Sequence, residues 1–284
     1  MPRARWKAAR AIRVFGAVLA AAVVGCCGGQ KKIVEEEVPP LGKAEVISIL
    51  NSQADLTRTL RAKLDVKVQT SGMRRAESCE GTLMAEYPDR LRIRGRHDLL
   101  DYEPFDIGSD GETWFIYSHF EELNEIHIGP THLLDEYFDP GVPLKPSDIV
   151  LALGVGRLEE NPPTRELLFT RHPGYYLITE VVTNASGRYV SKRMVVDPAL
   201  IVITRMETFR PDQGIDMVAE MTYDRVTPGA PLTPSSARIR LLREDAFLLE
   251  LKLRERRAGV RLPKKAFVIP DTEKIPTVYP HDSP

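Results

Sequence analysis

Residues with reactive side chains are few, and their spacing argues against a metal centre. His119, His127 and His132 lie within 14 residues of one another, beside three glutamates. No pair among them has the His-Glu-x-x-His spacing that places two ligands on one helix face. The three cysteines also lack the spacing of a zinc ligand set. We therefore expect no bound metal and no other cofactor.

Catalytic motifs are absent from the rest of the sequence. It contains no Gly-x-Ser-x-Gly nucleophile elbow and no phosphate-binding P-loop. The Gly154-Val155-Gly156 segment lacks the third glycine of a dinucleotide-binding fingerprint. We expect a protein that is not an enzyme.

The composition is that of a folded protein with no excess of either charge. Of 284 residues, 43% are hydrophobic and 28% are charged, and 39 basic residues face 40 acidic ones. The basic side chains are not gathered in one stripe, so we expect no nucleic-acid partner. One late basic cluster is either a solvated rim or a surface that attracts anionic lipid head groups. Its members are Arg254, Arg256, Arg257, Arg261, Lys264 and Lys265.

The N-terminus has the layout of an export signal. Five basic residues and no acidic one occupy positions 1–13, and a 12-residue apolar run follows from Val14 to Gly25. Twelve helical residues span about 18 Å, which is too short for the roughly 30 Å hydrocarbon layer of a bilayer. We therefore predict a signal peptide over residues 1–25.

Cys26 follows this run directly and carries the most specific signal in the chain. Val23-Val24-Gly25-Cys26 resembles the lipobox of bacterial lipoproteins, whose cysteine becomes the lipid-modified N-terminus. The resemblance implies lipidation of Cys26 and a membrane anchor in the cell envelope. An aspartate is absent after Cys26, which allows the periplasmic face of the outer membrane in a diderm bacterium. The alternative is an ordinary secretory signal that happens to contain a cysteine.

We predict one folded domain over residues 43–270. Residues 26–42 are rich in charge, proline and glycine, which is typical of a flexible linker behind an anchor. From residue 43 to about residue 63, apolar residues recur at spacings of three and four, which predicts one long amphipathic helix. Residues 271–284 contain three prolines, and we expect an irregular tail.

Beyond the helix the apolar period changes to two. Alternating runs, for example residues 64–68 and 91–94, are separated by turn signals, and the last run is 266–269. Short helices are predicted at 131–138 and 147–153. The predicted class is α+β, mainly antiparallel β: a curved sheet of about eleven strands that forms an incomplete barrel around short plug helices.

This pattern resembles the LolA/LolB-like superfamily of bacterial envelope proteins. The likeness rests on the order of the elements and on the phrases YPDRLRIRG, IGSDGETWFIY, MVVDPALIVITRMETF and LPKKAFVIP. It implies a half-barrel that wraps a helical plug and leaves an apolar cavity for acyl chains. A lipocalin-like closed barrel or another β-sandwich lipoprotein is the alternative.

The resemblance implies a carrier that binds acyl chains or lipoproteins for sorting or transfer. Apolar side chains on the concave face of an open sheet either pack against helices or hold a lipid. The candidate ligand-binding residues are Leu91, Ile93, Phe105, Ile107, Trp114, Ile116, Leu133, Leu134, Leu151 and Leu153. The alternative is a structural or interaction module with a filled core, which joins an envelope assembly through a protein partner.

Leu99 and Leu100 lie among polar residues at an expected surface turn. Receptors of the LolB kind carry an exposed leucine on a loop in the same part of the sheet, used to insert cargo into the bilayer. The resemblance implies this membrane-insertion role for Leu99 or Leu100. The alternative is an extended hairpin that buries both.

Overall fold

The computed structural model describes residues 41–70, 75–96, 103–120, 123–131, 146–161, 163–185, 187–211, 214–224, 231–242, 247–269 and 277–278. The predicted signal peptide, Cys26 and the linker up to residue 40 lie outside these ranges. The helices are α1 (Lys43–Leu56) and α2 (Pro146–Ala152), and one 3₁₀ turn spans Lys264–Phe267.

Fourteen strands make up the rest of the described elements. They are β1 (Thr59–Thr70), β2 (Glu77–Glu86), β3 (Arg90–Arg96), β4 (Phe105–Asp110), β5 (Thr113–Phe120), β6 (Leu123–Pro130), β7 (Arg165–His172), β8 (Tyr175–Asn184), β9 (Gly187–Asp197), β10 (Val202–Phe209), β11 (Ile215–Thr222), β12 (Ser236–Leu241), β13 (Phe247–Ala258) and β14 (Thr277–Val278).

All of these strands belong to one sheet. Its order is β14-β6-β5-β4-β3-β2-β1-β13-β12-β11-β10-β9-β8-β7. The thirteen longer strands pair antiparallel, and the two-residue β14 adds to β6 in parallel. Within the described residues β7 and β14 are the two edges and do not pair, so the sheet is curved and open. The predicted class is confirmed, and a closed barrel is not what forms.

The N-terminal helix is shorter than we expected. The sequence predicts a helix to about residue 63, whereas α1 ends at Leu56 and β1 begins at Thr59. Alternation from Leu60 to Val68 places five small or aliphatic residues on one face of β1, and β2 and β13 pair with it on both sides. Sheet pairing therefore prevails over the helical spacing of the same residues.

The strand count of about eleven is also wrong. An additional strand, β7, forms over residues that the sequence analysis assigned to no element. The run 266–269, predicted as a strand, lies instead on the 3₁₀ turn Lys264–Phe267, which follows Pro263. A short strand, β14, lies inside the segment predicted to be irregular. Helix α2 forms where a short helix was predicted, and the one predicted over 131–138 lies outside the described residues beyond Thr131.

The main core lies on one face of the sheet, which we call the concave face. Alternate residues of the strands point to it, and α1 and α2 cover it with Val46, Leu50, Ile149 and Leu153. The other face, which we call the outer face, carries most of the charged side chains. No helix in the described part of the chain is long and apolar enough to cross a bilayer.

Candidate ligand-binding site

The candidate residues on β3, β4 and β5 all point to the concave face. Ile93 lies opposite Ile107, and Ile107 lies opposite Ile116, so the three form one row across the sheet. Leu91, Ile93, Phe105 and Ile107 are buried in the main core. The period-two pattern therefore predicted correctly which side chains share this face.

A glycine allows one of these side chains to lie flat on the sheet. The ring of Phe105 on β4 covers Gly95 on β3, and a Cβ added at Gly95 would lie 2.6 Å from the ring. Any larger residue at position 95 would push the ring off the concave face. This aromatic–glycine contact closes the surface between two neighbouring strands.

Trp114 lies at the other end of this surface. It is buried on β5, and Ile116 is the hydrophobic residue that packs against it in the described part of the chain. Ile116 also packs against the main core and so connects the two groups. The concave face therefore runs without a break from β3 to β5.

The concave face is covered by a plug, which we define as α1, α2 and residues 153–160. Asn51 of α1 makes a reciprocal pair with Leu158: its amide donates to the Leu158 carbonyl at 2.9 Å and accepts from the Leu158 N–H at 2.8 Å. The Thr57 hydroxyl donates to the Gly154 carbonyl at 2.6 Å. These bonds join α1 and its C-terminal end to the rest of the plug.

Candidate residues Leu151 and Leu153 belong to the plug. Leu153 is fully buried and Leu151 nearly so, and both pack in the main core. They therefore meet Leu91 and Ile93 across one apolar interior. Leu133, Leu134, Leu99 and Leu100 lie outside the described residues.

An ion pair fixes α2 to the sheet. Lys192 of β9 lies with its ammonium 3.2 Å from Asp148 Oδ1 of α2 and 3.9 Å from Glu180 Oε1 of β8. Arg165 of β7 approaches Glu180 at 3.7 Å, and the Ser191 hydroxyl donates to the same carboxylate. The cluster places two carboxylates and two cations at the border of an otherwise apolar face.

The surroundings of Lys192 favour its charged form. Burial of the ammonium opposes ionisation, but the carboxylates of Asp148 and Glu180 outweigh this, so the pKa of Lys192 is raised. The cluster therefore consists of compensated charges that hold α2 in place. The sequence contains one indication of this cluster. Lys192, Met194 and Val196 are two residues apart along β9, so all three point to the buried face.

The interior beneath the plug is filled in the described residues. The cavity found there measures about 30 Å³ and lies between α1, α2 and β10. Its lining residues are Leu50, Gln53, Leu151, Gly154, Gly156, Leu158, Val202, Ile203, Tyr223 and Leu232. Such a space holds about one water molecule, so an acyl chain enters here only if the plug moves.

The outer face has a small buried centre of its own, which the sequence analysis did not find. Arg92 of β3 and Asp106 of β4 form an ion pair, with Arg92 Nε 2.6 Å from Asp106 Oδ1. The Arg92 guanidinium also lies 4.9 Å from the centre of the Phe115 ring. Phe267 of the 3₁₀ turn is buried beside this group, and Arg90 lies over its ring.

The remaining reactive groups show no converging arrangement. Cys79 is a free thiol, and burial raises its pKa to about 11, so it is protonated at neutral pH. No three metal-ligating side chains gather in the described ranges. Among the described residues, the concave face is an apolar surface bordered by the Lys192 cluster.

Comparison with solved structures identifies this architecture. A LolA superfamily protein from Nitrosomonas europaea superposes with a TM-score of 0.50 over 78% of this chain and 97% of its own, at 9% identity. A Vibrio parahaemolyticus domain, described as an outer membrane lipoprotein-sorting protein domain, gives a TM-score of 0.50 over 78% of this chain and 94% of its own, also at 9% identity. The protein has a LolA-like fold.

The relation is one of structure alone. No protein-family model matches the sequence, and no curated protein matches it. The open sheet and the short helix α2 agree with the sequence resemblance, whereas the N-terminal helix is shorter and the strand count higher than expected. The binding roles of the individual side chains stay predictions.

Proposed function

We propose that the protein is a non-enzymatic, membrane-anchored envelope lipoprotein that binds acyl chains or lipoproteins for sorting or transfer. The observation that carries this proposal is the apolar concave face, which is covered by two helices of 14 and 7 residues rather than by a second sheet. A cover of this kind is held to the sheet mainly by apolar contacts, with few polar bonds between them. A lipid replaces it by presenting apolar surface of the same kind.

The energetics allow reversible loading. Each buried methylene of an acyl chain contributes about 0.8 kcal/mol, so one chain compensates for the loss of several side-chain contacts. Because the cavity between α1, α2 and β10 holds about 30 Å³, an acyl chain binds at that position only if α2 or the whole plug is displaced. The proposed ligand-binding set is then Leu91, Ile93, Phe105, Ile107, Trp114 and Ile116, together with Leu151 and Leu153 of the plug and with Leu133 and Leu134, which lie outside the described residues.

The test uses the full chain carrying Cys26→Ser, which removes the acyl groups that the protein itself would contribute. It is purified under native conditions, extracted for lipid mass spectrometry, and titrated with a fluorescent fatty acid. We expect stoichiometric acyl lipids that the probe displaces. A folded chain that contains no lipid and takes up no probe would contradict the proposal.

A matched pair of variants locates the site. Leu232 lines the cavity and is partly exposed, so Leu232→Trp adds a bulky ring at the cavity. Leu242 is 50% exposed at the end of β12, so Leu242→Trp adds the same ring outside the site. We expect weaker probe uptake for the first variant alone. Equal uptake by both would exclude the cavity between α1, α2 and β10 as the place where the probe binds.

Lipidation of Cys26 has a separate test. Cells that produce the chain are grown with radiolabelled palmitate, and we expect label on the wild type and on Cys27→Ser. The label should disappear in Cys26→Ser. Label that persists there would refute Cys26 as the modified residue, and a wild type without label would refute the lipid anchor.

Leu99 and Leu100 form the proposed membrane-insertion loop. Changing both to serine in the Cys26→Ser chain should leave the melting temperature unchanged and weaken co-sedimentation with phospholipid vesicles. Unchanged sedimentation of a folded variant would exclude this role.

A second candidate is a structural or interaction module of an envelope assembly with a filled core. The filled interior beneath the plug favours it directly. This candidate predicts an empty, folded protein in the lipid test. It would then act through a protein partner rather than through a lipid cargo.

A further inference from the structure

Of the hollows on the outer face of the sheet, the largest and the smallest described differ in their charge. The larger, about 870 Å³, crosses β2, β1, β13 and β12. Its lining includes the acids Asp65, Glu80, Asp224 and Glu250 and the bases Lys67, Arg96, Arg238 and Lys252. Several of these pair with one another, for example Lys67 with Glu250 at 3.3 Å. This balance gives the larger hollow no preference for one sign of ligand.

The smaller hollow, which we call the strap pocket, is lined by cations without a carboxylate. It measures about 440 Å³ and lies between β1–β3 and residues 263–268, which we call the strap. Its lining residues are Arg61, Thr82, Met84, Arg92, Arg94, Pro263, Lys265, Ala266 and Val268. Four of them are basic and none is acidic, which is unusual for a surface where ion pairs are common.

Arg92 shapes the strap pocket but does not have free donors for a ligand. Its guanidinium is 5% exposed and is neutralised by Asp106. Its Nη1 group donates to the carbonyl oxygens of Ala266, at 3.4 Å, and Val268. These bonds hold the strap over β3 at a fixed height. The donors of Arg92 are therefore committed to the protein, and the pocket below the strap is preformed.

Three cations are left facing the pocket. Arg61 and Lys265 are exposed and make no ion pair with any described residue. Arg94 is 45% exposed, and its contacts are long: 3.4 Å to Asp106 and 3.6 Å to Glu103. Because Asp106 is already paired closely with Arg92, it compensates Arg94 only in part. The strap pocket therefore carries an excess of positive charge with free hydrogen-bond donors.

The rest of the lining and the volume of the strap pocket restrict the polarity and the size of a ligand. Met84, Pro263 and Val268 are apolar, and Val268 is 60% exposed on the rim. The Thr82 hydroxyl is exposed between the cations. A volume of about 440 Å³ lies in the range of sites for small organic ligands and exceeds what a bare inorganic anion fills.

We propose that the strap pocket binds a phosphate ester. Arg61, Arg94 and Lys265 contact the phosphate oxygens, and the organic part of the ligand lies against Met84, Pro263 and Val268. Guanidinium groups match phosphate oxygens with two parallel hydrogen bonds, which favours phosphate over a single-point anion. The ester comes either from a phospholipid head group or from a soluble metabolite. The proposal does not depend on lipid binding at the concave face.

The test measures binding of three probes to the full chain in a non-ionic detergent by isothermal titration calorimetry. They are glycerol 3-phosphate, short-chain dihexanoyl phosphatidylglycerol and, as a zwitterionic control, dihexanoyl phosphatidylcholine. Acyl binding at the concave face does not distinguish the two lipids, whereas the strap pocket does. Tighter binding of phosphatidylglycerol than of both phosphatidylcholine and glycerol 3-phosphate supports the pocket with a lipid as its source. Equal binding of phosphatidylglycerol and glycerol 3-phosphate supports a soluble ester. Equal binding of the two lipids without binding of glycerol 3-phosphate overturns the proposal.

A charge-matched pair of variants assigns the signal to the pocket. The double variant Arg61→Glu/Lys265→Glu should weaken phosphate-ester binding by about tenfold or more. Loss of one hydrogen bond to a charged group is expected to lower the affinity by about tenfold or more. The double variant Arg171→Glu/Lys252→Glu makes the same charge change at exposed positions elsewhere and should stay within about twofold. Equal losses of affinity in both double variants would show that only the overall charge matters, and would overturn the proposal. Absence of binding to the wild type would also overturn it.

Loss of binding in these variants should not result from unfolding. Arg61 and Lys265 have exposed side chains without ion pairs, so thermal melting of the double variant should match the wild type. A milder double variant, Arg61→Gln/Lys265→Gln, removes the two charges without reversing them. It should bind phosphate esters at an affinity between those of the wild type and the glutamate variant, and wild-type affinity would contradict the proposal.

Discussion

The two faces of strand β3 are both buried, but by different chemistry. Leu91 and Ile93 point to the concave face and are fully buried under the apolar plug. Arg92, between them, points to the outer face and is buried to nearly the same degree, at 4% exposure. It is neutralised by Asp106 and covered by the strap.

This difference indicates which of the two covers, the plug or the strap, a ligand can displace. Apolar contacts are non-directional, so any apolar surface of similar shape, a lipid included, takes the place of the plug. The strap is bound through a charged guanidinium and particular carbonyl oxygens, and its loss would leave a buried ion pair in need of partners. We therefore expect the concave side to open and the outer side to stay closed.

The largest effect is expected on the outer face. Asp106→Ala leaves the Arg92 charge buried and uncompensated, and should lower the free energy of unfolding by about 3–5 kcal/mol. Urea unfolding measures this loss. The double variant Arg92→Met/Asp106→Leu removes both charges and should lose less. A single variant as stable as the double one would show that the ion pair is of no consequence.

On the concave face a cavity variant gives the next largest effect. Ile93→Ala should cost about 3 kcal/mol, because a fully buried side chain leaves a cavity beneath the plug. The same cavity should raise uptake of the fluorescent fatty acid while Asp106→Ala does not. If both variants raised uptake equally, the contrast between the faces would be lost.

The ion pair that holds α2 gives a smaller effect with a defined pH dependence. Asp148→Asn should lower stability by about 1–2 kcal/mol, since Glu180 continues to face Lys192. Because the pKa of Lys192 is raised by folding, its stabilisation is complete below the ordinary lysine pKa of about 10.4 and is lost as pH rises through the higher folded value.

Unfolding curves at neutral and strongly alkaline pH test this point. The difference between the wild type and Asp148→Asn should be constant up to about pH 10 and shrink above it. A difference that grew with pH would mean that Lys192 does not carry the charge. Probe uptake by Asp148→Asn should also be faster if α2 is the part of the cover that moves.

The smallest effect is expected at exposed ion pairs. Arg188 and Glu166 contact each other with side chains 60% and 48% exposed. Arg188→Ala should change the free energy of unfolding by less than about 0.5 kcal/mol, because water and salt screen such a pair. A loss as large as that of Asp148→Asn would contradict the view that burial, not pairing itself, sets the cost.

The concave face was predictable because it depends on local parity. Leu91, Ile93, Phe105 and Ile107 occupy alternate positions, and the same period assigns them to one side of a sheet. Arg92 has the parity of its exposed neighbour Arg94, and nothing near it in the chain distinguishes the two. Its partners lie 14 positions away at Asp106 and 174 and 176 positions away in the strap.

The prediction of the boundary between α1 and β1 was wrong for a related reason. Leu56, Leu60 and Leu64 are four apart, as on a helix, while Leu60, Ala62 and Leu64 alternate, as on a strand. The sequence satisfies both periods over this stretch. The choice is made by β2 and β13, which pair with β1 from both sides and lie far away in the chain. Long-range pairing of this kind leaves no trace in a local pattern.

The place of β1 in the sheet has a consequence for how the protein is made. The first strand is held between β2 and β13, and Leu60 pairs with Ala258 at the far end of the described chain. The two halves of the sheet are joined only when this pairing forms, so β13 has to be synthesised before the sheet is whole. Folds with such remote contacts form slowly. Slow folding keeps a chain unfolded for longer after synthesis, which suits the export that we propose for this protein.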